Sequence, residues 1–199
     1  AYECIGDSYK TEVGMKPDDI YISAGNIMLN LAEIRRRKLE ENFKEFIHSH
    51  RQLSFVDQPV LNACTTNEDK LLIPLNYNAY SIVFYLNYKN AKKAKRVSRY
   101  YTESQVLDAV SNPCIVHFTT CFMDGTRPWI ENNNHPMIKQ YLDYKQKSEW
   151  ADTPLWKDNR SAVKKLGGKM FNILPQGFVA GSIGIVHDKI IPALHKIKK

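Results

Sequence analysis

The sequence predicts an α/β protein that ends in a helical, basic tail. Two observations lead to this prediction. Strand-like and helical stretches alternate along residues 1–156, and glycines and lysines then interrupt a mainly apolar sequence over residues 157–199. We therefore expect two parts, a body over 1–156 and a tail over 157–199. With 199 residues, of which 43% are hydrophobic, the chain is long enough to bury a core.

Capping and breaking signals divide the body into short elements. Asp57 can cap a helix that tolerates Pro59 in its first turn, and Asn112 followed by Pro113 ends another. The predicted elements are, in chain order, a strand or strand–turn over 19–31, helices over 32–50 and 58–63, a buried strand over 71–75, helical or irregular structure over 79–101, a helix that opens at Thr102, a buried strand over 114–119 and a helix over 136–148.

The net charge of +7 lies entirely in the tail. Residues 1–156 carry 19 basic and 19 acidic side chains, whereas residues 157–199 carry nine basic and two acidic ones. A localised excess of this kind predicts a tail that contacts an anionic partner, here an anionic membrane surface, and a body that does not bind nucleic acid. The alternative is that the tail forms a helical cap over the body.

The cysteines and the hydropathy pattern predict a cytoplasmic protein. The four cysteines, Cys4, Cys64, Cys114 and Cys121, have neither a paired spacing nor that of zinc ligands, which indicates reduced thiols. No apolar run reaches the roughly 18–20 residues that cross a bilayer. We therefore expect a cytoplasmic protein. Where the tail contacts lipid, we expect the protein to lie at the inner face of the cell membrane as a peripheral protein.

His117 lies inside the apolar stretch 114–119 and precedes a loop that contains Gly125, Arg127 and Trp129. One interpretation is a histidine hydrogen-bonded within the core, and the other is a metal ligand at the end of a buried strand. Arg127 is suited to bind phosphate, because its guanidinium presents two parallel donors, but it is equally a surface cation.

Two further motifs are candidates for a binding site. Asp57 and Gln58 place a carboxylate beside an amide, which suits a hydroxyl-rich ligand, although an N-cap followed by a polar first turn explains them equally well. Ser23, Ala24 and Gly25 interrupt an apolar stretch with small residues. Such residues allow close approach of a ligand, or form a β-bulge.

Taken in order, these motifs resemble the second half of a family 8 glycosyltransferase with the GT-A fold, over about residues 19–150. The stretches that carry the resemblance are YISAGNIMLNL (21–31), DQPVLNA (57–63), LLIPLNYN (71–78), YYTESQVLDAVSNPCIVHFTT (100–120) and RPW (127–129). The resemblance implies the C-terminal part of a GT-A fold. It also implies an enzyme of bacterial cell-surface polysaccharide synthesis that, when complete, transfers a hexose from a UDP-sugar to a glycan or lipid-linked saccharide acceptor, with retention and with a metal ion.

The resemblance also implies roles for individual residues. These are His117 as a ligand of Mn²⁺ or Mg²⁺, Arg127 at the sugar-nucleotide phosphate, Asp57 and Gln58 at the donor sugar, Ser23, Ala24 and Gly25 in the donor-binding element, and Pro74, Leu75 and Asn78 on the acceptor side. The chain departs from the family pattern where Ser23 replaces Asn, Pro59 replaces Asp and Thr120 replaces Gly.

The Asp-x-Asp motif with which this family binds metal and nucleotide does not occur in the sequence. Mn²⁺ and Mg²⁺ prefer several oxygen ligands, so His117 and Arg127 do not complete such a site. Because the sequence also begins at Ala1 rather than Met, we expect the C-terminal portion of a longer enzyme, inactive by itself. The alternative is a non-catalytic module that binds saccharide or a partner protein and has a membrane-associating tail.

Overall fold

The computed structural model describes residues 6–50, 53, 57–95, 99–119, 127–186, 190 and 193. The chain divides into two compact units, which we call the first unit (Ala1–Leu75 with His187–Lys199) and the second unit (Asn76–Val186). The sequence predictions that concern Cys4, Thr120, Cys121, Gly125 and the lysines at 189, 196, 198 and 199 lie outside the described residues.

The described part of the first unit contains four helices around a small core. These are α1 (Asp7–Glu12), α2 (Leu31–Arg36), α3 (Leu39–Ser49) and α4 (Gln58–Ala63). Val13, Met15 and Tyr21 are buried together, and Tyr9 and Phe46 are among the partly buried side chains that pack against them. The core thus joins the first helix to the segment that contains the predicted Ser23 site.

The predicted helix over 32–50 is divided in two. Lys38 lies between α2 and α3 and has a φ of 51°, in the left-handed region. A residue in that conformation cannot continue a right-handed helix, so the chain changes direction there. The prediction of helical structure over 32–50 is otherwise confirmed.

The second unit is also mainly helical in its described part and contains a two-stranded parallel sheet. Its elements are a 3₁₀ turn that begins in the preceding unit (Leu75–Asn78), β1 (Ala79–Tyr80), α5 (Ile82–Tyr85), α6 (Tyr88–Lys95), α7 (Glu103–Ser111), β2 (Val116–His117), α8 (Ile138–Gln146), α9 (Ala162–Ile173) and α10 (Gln176–Ile185). In the sheet, Ala79 pairs with Val116 and Tyr80 with His117.

Residue Thr102 begins α7 as predicted, through a capping box. Its hydroxyl accepts from the backbone N–H of Gln105 at 3.3 Å, and its own N–H donates to the Gln105 side chain at 2.9 Å. Both bonds satisfy backbone donors that the first helical turn leaves without partners. Val106 and Ala109 lie on the buried face of this helix.

The last described helix packs against the middle of the second unit. Val179, Ala180 and Ile183 of α10 are buried. A Cβ atom on Gly184 would lie 2.2 Å from the carbonyl oxygen of Lys93 in α6, so glycine is what allows the two helices to approach this closely. Residues 176–185 of the tail therefore pack against the second unit.

Two strand predictions are wrong or too long. Residues 71–74 form no strand, Leu71 is 92% exposed, and Leu75 begins the 3₁₀ turn. Pro74 has no N–H to give to a ladder, and an apolar run without a neighbouring strand does not form a sheet. The predicted strand over 114–119 is reduced to Val116–His117, and Ile115 is exposed rather than buried.

Candidate functional site

In the first unit, side chains hydrogen-bond the backbone of residues 17–24, which contains two of the predicted site residues. Lys10 Nζ donates to the carbonyls of Pro17 and Asp19, at 2.9 and 2.7 Å. Lys70 Nζ donates to the carbonyl of Ile20 at 2.8 Å. Burial lowers the pKa of Lys70, because the charged ammonium is separated from water. Neither lysine was predicted from the sequence, since a lone lysine gives no signal.

Asn62 of α4 makes the most complete of these contacts. Its Oδ1 accepts from Ile22 N at 2.7 Å, and its Nδ2 donates to the Ile22 carbonyl at 2.8 Å. The same amide donates to the Gln58 carbonyl at 2.9 Å. The Asn62 side chain is 1% exposed, so these bonds replace water for both backbone groups of Ile22.

Four of the predicted donor-side residues are joined by hydrogen bonds within the chain, Gln58 to Ala24 and Ser23 to Gly25. Gln58 is buried, and its Oε1 accepts from Ala24 N at 3.0 Å. Ser23 is also buried, and its hydroxyl accepts from Gly25 N at 3.3 Å, which forms a short turn. Asp57 is exposed at the N-terminus of α4, but its side chain makes no capping hydrogen bond. The predicted role of Asp57 and Gln58 at a donor sugar stays a prediction.

The second unit brings His117 and Asn78 together. Asn78 ends the 3₁₀ turn just before β1, and His117 ends the paired strand β2. The register pairs His117 with Tyr80, so Asn78, two residues before Tyr80, is a diagonal neighbour of His117. The His117 Nδ1 atom lies 3.0 Å from Asn78 Oδ1. Because Oδ1 only accepts, Nδ1 carries the proton and Nε2 of the neutral ring keeps its lone pair. Burial, followed by the charge of Arg127, lowers the pKa of His117.

The predicted phosphate ligand Arg127 holds the backbone that follows β2. Its guanidinium donates to the carbonyl of Phe118 and lies 5.9 Å from the centre of the Trp129 ring. The next carbonyl, that of Thr119, accepts from the Ser81 hydroxyl at 2.7 Å. Arg127 therefore has a backbone partner in this chain, and its role at a phosphate stays a prediction.

The remaining predicted residues are those of the acceptor side. Leu75 and Asn78 are buried, whereas Pro74 is exposed. Leu75 and Pro74 belong to the first unit and Asn78 to the second. The predicted acceptor side therefore stays a prediction.

Manganese or magnesium would need carboxylates near His117. Within residues 6–50, 53, 57–95, 99–119, 127–186, 190 and 193, no three His, Cys, Asp or Glu side chains come together as a metal site. His117 and its amide neighbour alone do not fit a hard divalent cation, which prefers several oxygen ligands. We therefore derive no chemistry through a metal ion.

A buried histidine that the sequence analysis did not single out lies in the second unit. His135 is 3% exposed, and its Nδ1 accepts from Met137 N at 3.0 Å, just before α8. The rings of Phe84, Tyr85 and Phe118 surround it, with centroids 5.7, 5.2 and 4.7 Å away. The segment Asn-Asn-Asn-His-Pro around it gives no periodic signal, so its burial could not be predicted.

A shallow groove of about 440 Å³ lies between α3 and the end of α4. None of the predicted site residues lines it. Burial raises the pKa of the Cys64 thiol at its edge, which makes this thiol less reactive. The residues that line the groove are Asn42, Glu45, Phe46, Ser49, Ala63, Cys64, Thr65 and Thr66.

Helix α9 carries an exposed apolar face. Val163, Leu166, Met170 and Ile173 are 79, 60, 53 and 83% exposed. At 100° per residue they fall within an arc of about 80°. Lysines 164, 165 and 169 occupy other positions around the same helix, and glycines 167 and 168 interrupt its middle. The helix has no buried residue, so it is amphipathic without a covered apolar side.

Across the described ranges, no helix has the length and apolar content that crossing a bilayer requires.

The chain is similar to one curated protein whose name indicates a role in stress. This relative is General stress protein A of Bacillus subtilis (strain 168), which is 27% identical over 133 residues, or 65% of this chain and 42% of that protein. The chain therefore spans less than half the length of this relative. No protein-family model matches the chain. No solved structure matches it either, and the expected GT-A arrangement stays a prediction.

The glycosyltransferase prediction is corrected by this comparison. The relative is named as a general stress protein and not as a sugar transferase. This name contradicts three predictions: that the chain belongs to family 8, that it is part of an enzyme that transfers a hexose, and that it acts in polysaccharide synthesis. Three residues of the motifs that carried the resemblance make hydrogen bonds to the backbone of this chain. These residues are Gln58, Ser23 and Arg127.

Proposed function

We propose that this chain belongs to a stress-related protein and that α9 attaches it to an anionic membrane surface. The stress context comes from the name of the relative, General stress protein A. The observation that supports membrane attachment is the exposed apolar face of α9 with lysines beside it. A helix of this kind lies in the plane of the membrane interface, with its apolar side among the acyl chains.

The exposure of α9 argues that its apolar face has an occupant outside the described chain. Four large apolar side chains on one helical face, all more than half exposed, form a patch that monomeric proteins seldom leave open. α10 has its own partner in α6, so the two helices of the tail differ in role. We assign α10 to the fold and α9 to the membrane.

The positive charges around α9 favour an anionic surface as the partner of its apolar face. The tail carries nine basic and two acidic residues. Of the acidic ones, Asp158 is already paired with Arg160 at 3.0 Å, and this hydrogen bond lowers the pKa of its carboxyl group to about 2. Lys164 and Lys169 are exposed and can reach lipid phosphates while their methylene stems remain near apolar surface. Each such lysine contributes about 1 kcal/mol near an anionic leaflet.

Vesicle co-sedimentation of the full chain tests the proposal. We expect binding to phosphatidylcholine vesicles that contain phosphatidylserine, weaker binding at high salt, and little binding to phosphatidylcholine alone. Replacing Leu166 and Met170 with Ser should abolish binding. The matched control is Leu107→Ser, because Leu107 is 57% exposed on α7 and lies outside the proposed surface.

A second variant separates charge from apolar contact. Lys164→Gln together with Lys169→Gln should weaken binding to anionic vesicles by roughly tenfold or more, since two lysine contributions are lost. The same variant should bind neutral vesicles as the wild-type chain does. Equal binding of the wild-type chain to neutral and anionic vesicles, or binding to neither, would overturn the proposal. The saccharide-binding alternative stays a prediction.

A further inference from the structure

Helix α6 exposes lysines on one side and buries small residues on the other. Lys89, Lys92 and Lys93, which we call the lysine face, are exposed. At 100° per residue they fall within an arc of about 100°. Gly184 of α10 lies against the carbonyl of Lys93, so packing within the second unit holds α6 in place. The side of α6 opposite the lysine face is buried and consists of Asn90, Ala91 and Ala94.

The lysine face has no neutralising partner in the part of the chain that the structure describes. No acidic side chain there forms an ion pair with any of its three lysines. Lys92 instead lies over the ring of Tyr88, 5.3 Å from its centre. On α8, by contrast, the exposed Lys139 pairs with Asp143 at 2.8 Å. Lysines three and four positions apart on a helix repel one another, so the face carries an uncompensated positive charge.

The sequence around α6 does not dilute this charge. Residues 70–102 carry seven basic and no acidic side chains, whereas residues 1–69 carry eight basic and twelve acidic ones. The prediction that the body does not bind nucleic acid rests on the zero net charge of residues 1–156, which is a sum of unlike regions. The helix dipole favours cations in the last turn of α6 but not Lys89 in its first turn. A local anionic partner accounts for all three lysines.

We infer that the lysine face binds the phosphate backbone of a nucleic acid, without selecting its sequence. The three lysines span about 6 Å along the helix axis, and one strand of a duplex presents a phosphate about every 3.4 Å along its axis. The face can therefore contact two adjacent phosphates of one strand, and such contacts carry no sequence information. No large apolar side chain is exposed on α6, so this helix, unlike α9, has nothing to insert among acyl chains.

Fluorescence anisotropy of a short labelled duplex of mixed sequence tests the inference. We expect the full chain to bind the duplex with an affinity that falls steeply as salt is added. Replacing Lys89, Lys92 and Lys93 together with Gln should weaken binding by roughly tenfold or more at low salt. The same variant should reduce the slope of log affinity against log salt by about two, because two phosphate contacts are lost. A duplex of different sequence should give the same values.

The matched control removes the same charge elsewhere. Replacing Lys16, Lys44 and Lys147 with Gln changes exposed lysines outside α6, and this variant should bind the duplex as the wild-type chain does. Circular dichroism confirms that both variants are folded. Binding to phosphatidylcholine–phosphatidylserine vesicles should be the same for the wild-type chain and the α6 variant.

Three outcomes would overturn the inference. They are failure of the wild-type chain to bind the duplex, equal losses of affinity in the two triple variants, and loss of vesicle binding in the α6 variant, which would make lipid the partner of the lysine face. None of them bears on the apolar face of α9, whose own variants test the proposed function separately.

Discussion

Asn62 shows at the scale of one residue how a side chain can hold a distant backbone segment. It bonds both the N–H and the carbonyl of Ile22, which lies 40 residues earlier. We predict that Asn62→Ala lowers the free energy of unfolding of the first unit by about 2–4 kcal/mol, because the half-buried N–H and carbonyl of Ile22 lose their partner. Urea denaturation measures this change. Asn134→Ala at an exposed position is the control and should have almost no effect.

His117 makes a prediction about pH at the same scale. Its pKa is lowered in the folded protein, chiefly by burial, so the unfolded chain binds the proton more readily. The stability that this neutral ring contributes is therefore fully present above about pH 6.5 and is lost as the pH falls through the lower folded-state pKa.

Replacing His117 with Asn should remove this part of the pH dependence. We expect the difference in unfolding free energy between the wild-type and His117→Asn proteins to shrink between pH 7.5 and pH 5, as measured by denaturation at each pH. NMR titration of the His117 ring gives its pKa independently. A folded-state pKa at or above 6.5 would contradict the prediction.

At the scale of elements, the contact between α6 and α10 depends on Gly184. A Cβ there would meet the Lys93 carbonyl oxygen at 2.2 Å, whereas a Cβ on Gly181 meets nothing within 4 Å. We predict that Gly184→Ala destabilises the second unit by about 2 kcal/mol or more. Gly181→Ala in the same helix should stabilise it by up to about 1 kcal/mol, through helix propensity. Thermal unfolding of the two variants should therefore shift in opposite directions, and shifts of the same sign would contradict the prediction.

The sequence predicted the elements that have local signals. Pro59 marked the first turn of α4 and Thr102 the start of α7, because capping depends on residues three or four positions apart. The break at Lys38 gave no such signal, since lysine seldom adopts a positive φ. The strand predicted over 71–75 was wrong, because strand formation depends on a partner that the local sequence does not specify.

The candidate site was less predictable than the elements. His117 was predicted to lie in a buried strand, and it lies at the end of the half-buried strand β2. Its neighbour Asn78 became apparent only through the parallel pairing of β1 and β2. Gln58 was predicted to face a ligand, and in the structure its Oε1 accepts a hydrogen bond from Ala24 N. Polar residues serve binding sites and backbone contacts alike, and only the distances distinguish the two uses.

At the scale of the whole molecule, the two compact units make a prediction about cooperativity. Asn62 lies in the first unit and Gly184 in the second. We expect Asn62→Ala and Gly184→Ala to affect different unfolding transitions, because each residue contacts only its own unit in the bonds described above. Hydrogen exchange followed by mass spectrometry resolves the two regions. Equal loss of protection in both units from either variant would show one cooperative structure instead.

The adjacent glycines in the middle of α9 have a consequence for proteolysis. Each glycine costs a helix about 1 kcal/mol relative to alanine, and this helix has no buried residue to compensate. In solution α9 should therefore open locally and expose the peptide bonds after Lys164, Lys165 and Lys169 to trypsin. A bilayer that covers the helix would protect the same peptide bonds from trypsin. The rate of cleavage at these three lysines would therefore show whether the protein is in solution or bound to a membrane.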